Sequence, residues 1–481
     1  FSSYLGGQSA NRGLCKQPCR RHYQTDKQEG FPFNLKDNQQ LENIALLKQA
    51  GIKSLKVEGR LKSAEYVYRI AKAYRLVLDE PHRQQEAYQL LNFDPGREKT
   101  GYFLQGNITD AISDDPYSGK LLGRIEEVSE KQMLISTTND ITPGNRLRVR
   151  PNTAAEGTPF KVVRVEKQSD RLFKITGNIP ANAKRSDRVY LTELRQERFP
   201  SKIDTRSVKL PKRTSPEHIK EIVNSVKPKS KTPTQEEVFV RADSIAWIRK
   251  IAFPHITGLI LNLSRSEWES FRPDTRVMQR YADKIIVELP KFIPENTLPF
   301  YQNLISKLQK AGFRRFSLSH LSQKLLCTNA LQLISNENVY TLNDAAVRFI
   351  KQEGIHDCIF PLENDWENLQ SSVYKEGILP VYFTPSLFYS RMPVQAKEFT
   401  SDKNEKFHRT TIDGITHIYP DIPVSLLQYT HRLRQAGFKR FLIDLSFEKP
   451  SGNRLETLLK RLGKSEQVQP SGNFNFVKGG G

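Results

Sequence analysis

The sequence predicts a chain of mixed class, α/β plus all-β: the C-terminal part of a (β/α) barrel, then a small β-barrel, then a second (β/α)8-like barrel. Three observations carry this. Apolar residues recur at helical spacing on both sides of a short apolar run between residues 37 and 79. Between 117 and 191 the period falls to two. From Glu237 onward, short apolar runs alternate with helical stretches.

In the first segment, 1–85, residues 1–35 read as loop, punctuated by Gly6, Gly7, Gly13 and Gly30. A helix is expected from Asp37 to Ala50, with Leu41, Ile44, Ala45 and Leu47 on one face, Asp37 as N-cap and Gly51 as C-cap. A strand follows at Ile52–Val57, then a helix from about Ser63 to Asp79. Such a helix–strand–helix piece would be the last unit of a barrel whose other units precede Phe1. Residues 86–116 connect to five or six short strands over 117–193, with Pro143-Gly144-Asn145 as turn chemistry. Residues 194–236 form a basic linker. Its 195–231 stretch holds four prolines and 11 Lys/Arg against four Asp/Glu. It suits a solvated tether or an RNA-gripping arm, and Pro211, Pro216 and Pro228 argue against a long helix.

The last large domain, 237–465, has strand patterns at 238–241, 258–263, 284–288, 313–318, 338–341, 355–360, 379–383 and 438–444. Helical patterns fall at 297–311, 322–333, 342–353 and 424–436. Ala311-Gly312-Phe313 and Ala436-Gly437-Phe438 repeat one helix-stop, strand-start device. Eight such strands fit a (β/α)8 barrel. Residues 466–481 form a tail.

Lys and Arg number 74 against 53 Asp and Glu, a net charge of +21 over 481 residues. That surplus favours a polyanionic partner, because each neutralised phosphate releases counterions. It is also compatible with a lysine-rich solubilising surface. No apolar run reaches the ~18 residues of a membrane span. Four cysteines, Cys15, Cys19, Cys327 and Cys358, are too few for a disulfide framework and fit a reducing, cytoplasmic location.

Cys15 and Cys19 stand four apart in a Gly-rich loop, with Arg12, Lys16, Arg20 and Arg21 around them. Two thiolates at this spacing suit one metal or cluster, and nearby positive charge favours the ligating thiolate. Incidental thiols are the alternative. His22 is a third possible donor. Cys327 and Cys358 fall in apolar patterns where inert cysteines sit. Lys56, Glu58 and Arg60 lie at the end of the expected strand, where β/α barrels keep functional groups. They are the candidate catalytic residues, the alternative being a structural ion pair. Arg60 would suit a carboxylate or phosphate.

Ser9-Ala10-Asn11-Arg12-Gly13 with Cys15 and Cys19-Arg20, then Leu35-Lys36-Asp37, then Lys56-Val57-Glu58-Gly59-Arg60 and Tyr66-Val67 through Ala73-Tyr74-Arg75, resemble the U-32 peptidase family, also called collagenase-like proteases. Thr100-Gly101-Tyr102-Phe103 and Gly472-Asn473-Phe474-Asn475-Phe476 resemble its later segments more loosely. The resemblance implies a cytoplasmic protein with a 4Fe-4S cluster. Cys15 and Cys19 would be two of its ligands, and a Cys-x6-Cys pair is expected just upstream of Phe1. The first residue, Phe rather than Met, predicts a fragment. The resemblance further implies oxygen-independent hydroxylation of an RNA base, ribosomal RNA cytidine first and tRNA second, with prephenate as a possible co-substrate. Arg12, Arg20 and Arg21 would then be the RNA-binding candidates, with Arg20 and Arg60 able to hold a carboxylate.

Two other functions are open at this level. One is proteolysis, for which the sequence has no HExxH or G-x-S-x-G motif, although Cys15 with His22 is a conceivable nucleophile and base. The other is a non-catalytic RNA-binding scaffold built on the basic β-barrel and linker.

Overall fold

The computed structural model describes residues 2–10, 13–26, 29–59, 62, 64–91, 96–104, 107–113, 119–150, 157–193, 214–225, 227–228, 233–328, 331–392, 394–401 and 403–477. The chain forms two compact units. A middle unit comprises Cys19–Gln24 and Gln28–Pro211; a C-terminal unit comprises Phe1–Pro18, Thr25–Lys27 and Lys212–Gly481.

In the middle unit, a 3-10 turn at Leu41–Asn43 runs into the helix Ile44–Gln49. Gly51, at φ 79°, ends it, a left-handed position that glycine adopts without strain. Asp37 is not the cap. Asp37–Asn38 pairs in parallel with Lys99–Thr100, and the Asp37 carboxylate takes Arg97 at 2.6 Å. Helix Ala64–Asp79 follows, then Gln84–Leu91. Leu41, Ile44, Ala73, Leu76, Val77, Ala87 and Leu91 form their shared core. Residues 52–58 make no strand and are largely exposed. The expected last unit of a (β/α) barrel is therefore corrected to a small helical cluster. A strand needs partners for its backbone groups, and among the described residues none lies beside 52–57.

The middle unit's second half is a closed six-stranded antiparallel barrel. Lys120–Val128, Gln132–Thr137, Leu172–Gly177, Thr158–Lys167, Arg146–Arg150 and Arg188–Glu193 pair in that cyclic order. Alternating residues turn inward, so Leu122, Ile125, Met133, Ile135, Leu147, Val149, Phe173, Ile175 and Val189 fill the interior. Gly123 lets two strands approach: a Cβ there would overlap the Ser136 carbonyl oxygen.

In the C-terminal unit, seven strands form a parallel run. They are Asp357–Cys358, Gln332–Ser335, Arg315–Leu318, Ile285–Glu288, Gly258–Leu261, Glu237–Ala242 and Arg440–Asp444. Leu379–Phe383 joins in parallel beside the last, and Val424–Ser425 pairs antiparallel at the edge. The expected second (β/α)8 barrel is corrected to this nine-stranded sheet. Its parallel ends meet only in an isolated Ile359–Ile378 bridge, because the strand at 357–358 is two residues long and leaves no continuous ladder to close a ring. The strand expected at 338–341 lies instead at Gln332–Ser335. Glu337–Val339 is a 3-10 turn, and Tyr340 stands left-handed at φ 65°. Residues 322–333, read as a helix, shrink to a 3-10 stretch at Leu321–Leu326. Gly312 and Gly437 both sit at φ 96°, stopping helices Leu298–Lys310 and Thr430–Gln435 as expected.

Two features of this unit were not read in the sequence. Phe388–Ser390, Ile415–Pro420, Lys406–Ile412 and Glu398–Ser401 pair antiparallel in that order, with Asp413-Gly414 at positive φ as a two-residue hairpin turn. Helix Ser2–Gly6 packs into the same unit: Ser3 hydrogen-bonds Glu363, and Tyr4 packs on Phe474 at 5.4 Å. In the expected linker, residues 194–213 lie outside the described part, and 216–225 form a ten-residue helix with Pro216 at its first position.

Candidate functional site

Cys15 is exposed and belongs to the C-terminal unit, where its Sγ accepts the Gln17 N–H at 3.3 Å; Cys19 is half-buried and belongs to the middle unit. Arg12 and Arg60 lie outside the described residues. Arg20 donates to Asn34 Oδ1 at 3.4 Å, and Arg21 is half-buried. His22 packs edge-on against Phe31 and faces Glu29 at 3.9 Å. Lys56 and Glu58 pair with each other at 3.0 Å, with 88% and 64% of their side chains exposed. An exposed pair of this kind contributes little to stability.

Among the described residues, no group of three or more His, Cys, Asp or Glu could hold a metal ion. The iron–sulfur expectation is corrected on that ground: Cys15 and Cys19 have no converging third donor among those residues. Cys327 and Cys358 behave as inert thiols, burial pushing them up to about 11 and about 12.

Two concave sites are built instead. The first, in the middle unit, is a groove of about 760 Å³ lined by Arg97, Lys99, Lys120, Arg188, Tyr88 and Tyr190, with Glu98 as its acid. Arg97 and Lys99 share Asp37, at 2.6 and 3.7 Å. Lys120 and Arg188 are exposed on neighbouring barrel strands. Register places Arg188 opposite both Arg124 and Arg150.

The second site lies at the C-terminal ends of the parallel strands, where open α/β sheets collect their ligands. Arg241, one residue from the end of Glu237–Ala242, is buried with three carboxylates. Its Nη2 donates to Glu288 at 2.9 Å and to Glu337 at 2.7 Å; its Nη1 donates to Asp444 at 2.8 Å and Glu337 at 3.1 Å. Ser317 Oγ also donates to Glu288, at 3.0 Å. Burial pushes Glu288 up to about 7, against the pull of Arg241. Burial acts the same way on Glu337, but there the Arg241 charge and hydrogen bonds win and hold the carboxyl low. Burial and the Asp444 charge raise Asp243 to about 6, against its hydrogen bond from Phe447 N–H. Burial and nearby Lys291 hold His417 neutral, down to about 4.

Above this network is a cavity of about 90 Å³ whose lining includes Lys291, Asp243 and Ser446, with Phe292, Tyr301 and Phe447 as walls. The Asp413 hairpin turn closes one side: its carboxylate accepts the Arg265 N–H at 3.0 Å and faces Arg265 Nε at 3.6 Å. Motif reading missed this site. Its signal was a charged residue at the end of each apolar strand, in Phe239-Val240-Arg241-Ala242-Asp243, Ile286-Val287-Glu288 and Leu442-Ile443-Asp444.

Residues 1–111 match the model for peptidase family U32. The 23S rRNA 5-hydroxycytidine C2501 synthase of Escherichia coli (strain K12) is 29% identical over 199 residues, covering 37% of this chain and 30% of that protein. The tRNA hydroxylation protein P1 of Bacillus subtilis (strain 168) is 38% identical over 92 residues, covering 16% and 22%. A collagenase of Porphyromonas gingivalis (strain ATCC BAA-308 / W83) is 35% identical over 80 residues, covering 15% and 19%. The chain thus spans less than a third of the length of each. No helix among the described residues is long and apolar enough to cross a membrane. Over residues 1–111 the chain matches peptidase family U32, and it is homologous to relatives of the rRNA- and tRNA-hydroxylation type.

Proposed function

We propose that this chain is part of an RNA-modifying enzyme that hydroxylates a base, ribosomal cytidine being the first candidate, and that the middle unit's groove holds the RNA strand. The groove carries this reading. Four cations and the half-buried Tyr88 around one acid suit a single strand: charge for the backbone and an aromatic edge for a base. The likeness to the 23S rRNA 5-hydroxycytidine synthase, the longest of the three alignments, supports the choice of ribosomal RNA. The net charge of +21 has the right sign for long-range attraction. Prephenate as co-substrate belongs to the same proposal.

The test is binding of a fluorescent single-stranded RNA, read by anisotropy at two salt concentrations. Wild-type affinity should fall steeply with salt, and the Lys120→Glu/Arg188→Glu variant should bind at least about tenfold more weakly with a shallower salt slope. Equal binding by both proteins would remove the groove from the reading. Unchanged 5-hydroxycytidine in ribosomal RNA from a strain lacking the gene would remove the substrate. Gelatin cleavage by the purified protein, lost on Cys15→Ala, would replace it with proteolysis.

A further inference from the structure

The cavity of the C-terminal unit has donors without acceptors. Ser446 is 7% exposed and lines it, yet its Oγ has no hydrogen-bond partner among the described residues. The same holds for Nε of Arg241, 3% exposed, whose other two nitrogens are saturated by carboxylates. Lys291 is half-buried, lines the same cavity and feels the charges of Glu337, Arg241, Glu288 and Asp444. Buried donors without partners are costly and rare, so the Ser446 hydroxyl and Arg241 Nε mark a place for an acceptor oxygen.

The charge balance says what kind of oxygen. Asp243, Glu337, Asp413 and Asp444 outnumber Arg241, Arg265 and Lys291 around the cavity, and Glu288 adds a further acid behind it. A carboxylate or phosphate would enter against that surplus. An uncharged carbonyl would not. The walls of Phe292, Tyr301 and Phe447 suit a small, partly apolar body. Burial also holds the Lys291 ammonium below its ordinary range, which favours the free amine, a nucleophile toward carbonyl carbon.

We propose that this cavity binds a small uncharged aldehyde or ketone and that Lys291 condenses with it to an imine. The Nζ lone pair forms the new C–N bond, and the carbonyl π electrons move to oxygen, which takes a proton. The resulting hydroxyl leaves as water after a second protonation, for which Asp243, lining the same cavity, would supply the proton. Nitrogen gives up its two protons in all, and C=N forms. Amine and carbonyl become imine and water, with no oxidation or reduction. Ser446 and Arg241 Nε would hold the oxygen before it leaves. This activity is independent of the RNA reading.

The full chain is treated with acetaldehyde and sodium cyanoborohydride at pH 6.5, and ethylated lysines are mapped by mass spectrometry over time. Lys291 should be labelled at least about tenfold faster than exposed Lys460, because its lowered basicity leaves more of it as free amine at this pH. Lys291→Arg should remove that fast phase. Should that variant not fold, Ser446→Ala, which only deletes a hydroxyl, should slow labelling of Lys291 at least about threefold and leave Lys460 unchanged. Labelling of Lys291 no faster than Lys460, or unaffected by Ser446→Ala, overturns the proposal and leaves a water-filled cavity.

Discussion

Replacing Arg241 by Met tests the centre of the C-terminal unit. The variant removes four charge-assisted hydrogen bonds at 2.7–3.1 Å and leaves Glu288, Glu337 and Asp444 facing one another. Breaking a buried ion pair from one side costs about 3–5 kcal/mol, and with three carboxylates stranded the upper part of that range applies. All three tryptophans, Trp247, Trp268 and Trp366, belong to this unit, so their fluorescence follows its unfolding alone. With a urea dependence of about 3 kcal/mol per molar, the midpoint at pH 7.5 should fall by about 1.3–1.7 M. At pH 5 the deficit should shrink, because protonated carboxyls no longer repel. A midpoint within about 0.3 M of wild type at pH 7.5, or a deficit that does not change with pH, would refute the idea that Arg241 neutralises this cluster.

The other predictions concern separate parts of the chain. Glu288 and Asp243 are raised to about 7 and about 6, so the folded state binds protons that the unfolded state has released. Relative to the acid side, where both states are protonated below about pH 4, stability falls as pH rises from about 4 and the loss levels off above about pH 7. Glu288→Gln, which keeps an acceptor for Arg241 and Ser317, should flatten that decline in tryptophan-monitored urea melts. Gly123→Ala should cost the barrel about 1–3 kcal/mol by pushing the strand off the Ser136 carbonyl, seen as faster hydrogen exchange across 120–137 with tryptophan melts unchanged. Cys15 should react at once with a colorimetric disulfide reagent in the native protein. Cys358, fully buried and raised to about 12, should react only on unfolding.

Much of the architecture is written in local patterns. The period of two over 117–191 announced the barrel strands, since a strand with one face in a core must alternate. Gly312 and Gly437 announced two helix ends, since few other residues take φ near 96° cheaply. Leu41 and Ile44 announced a core face, but Asp37 misled as a cap because its carboxylate is claimed by Arg97, 60 residues away. Residues 52–57 look like a strand by composition, and a strand exists only where neighbours accept its hydrogen bonds. The two-residue strand at 357–358 likewise hides in an apolar run that sequence reads as a full strand.

The sequence by itself determined the resemblance of the N-terminal segment to family U32 and the basic charge, because each depends on composition or on contiguous motifs. Tertiary structure alone decided where chemistry gathers. Arg241 and Asp444 are 203 residues apart, and Glu288 and Glu337 come from other elements again. Only the parallel sheet, which aligns the C-terminal ends of its strands, brings those charges out of water and into reach of one another.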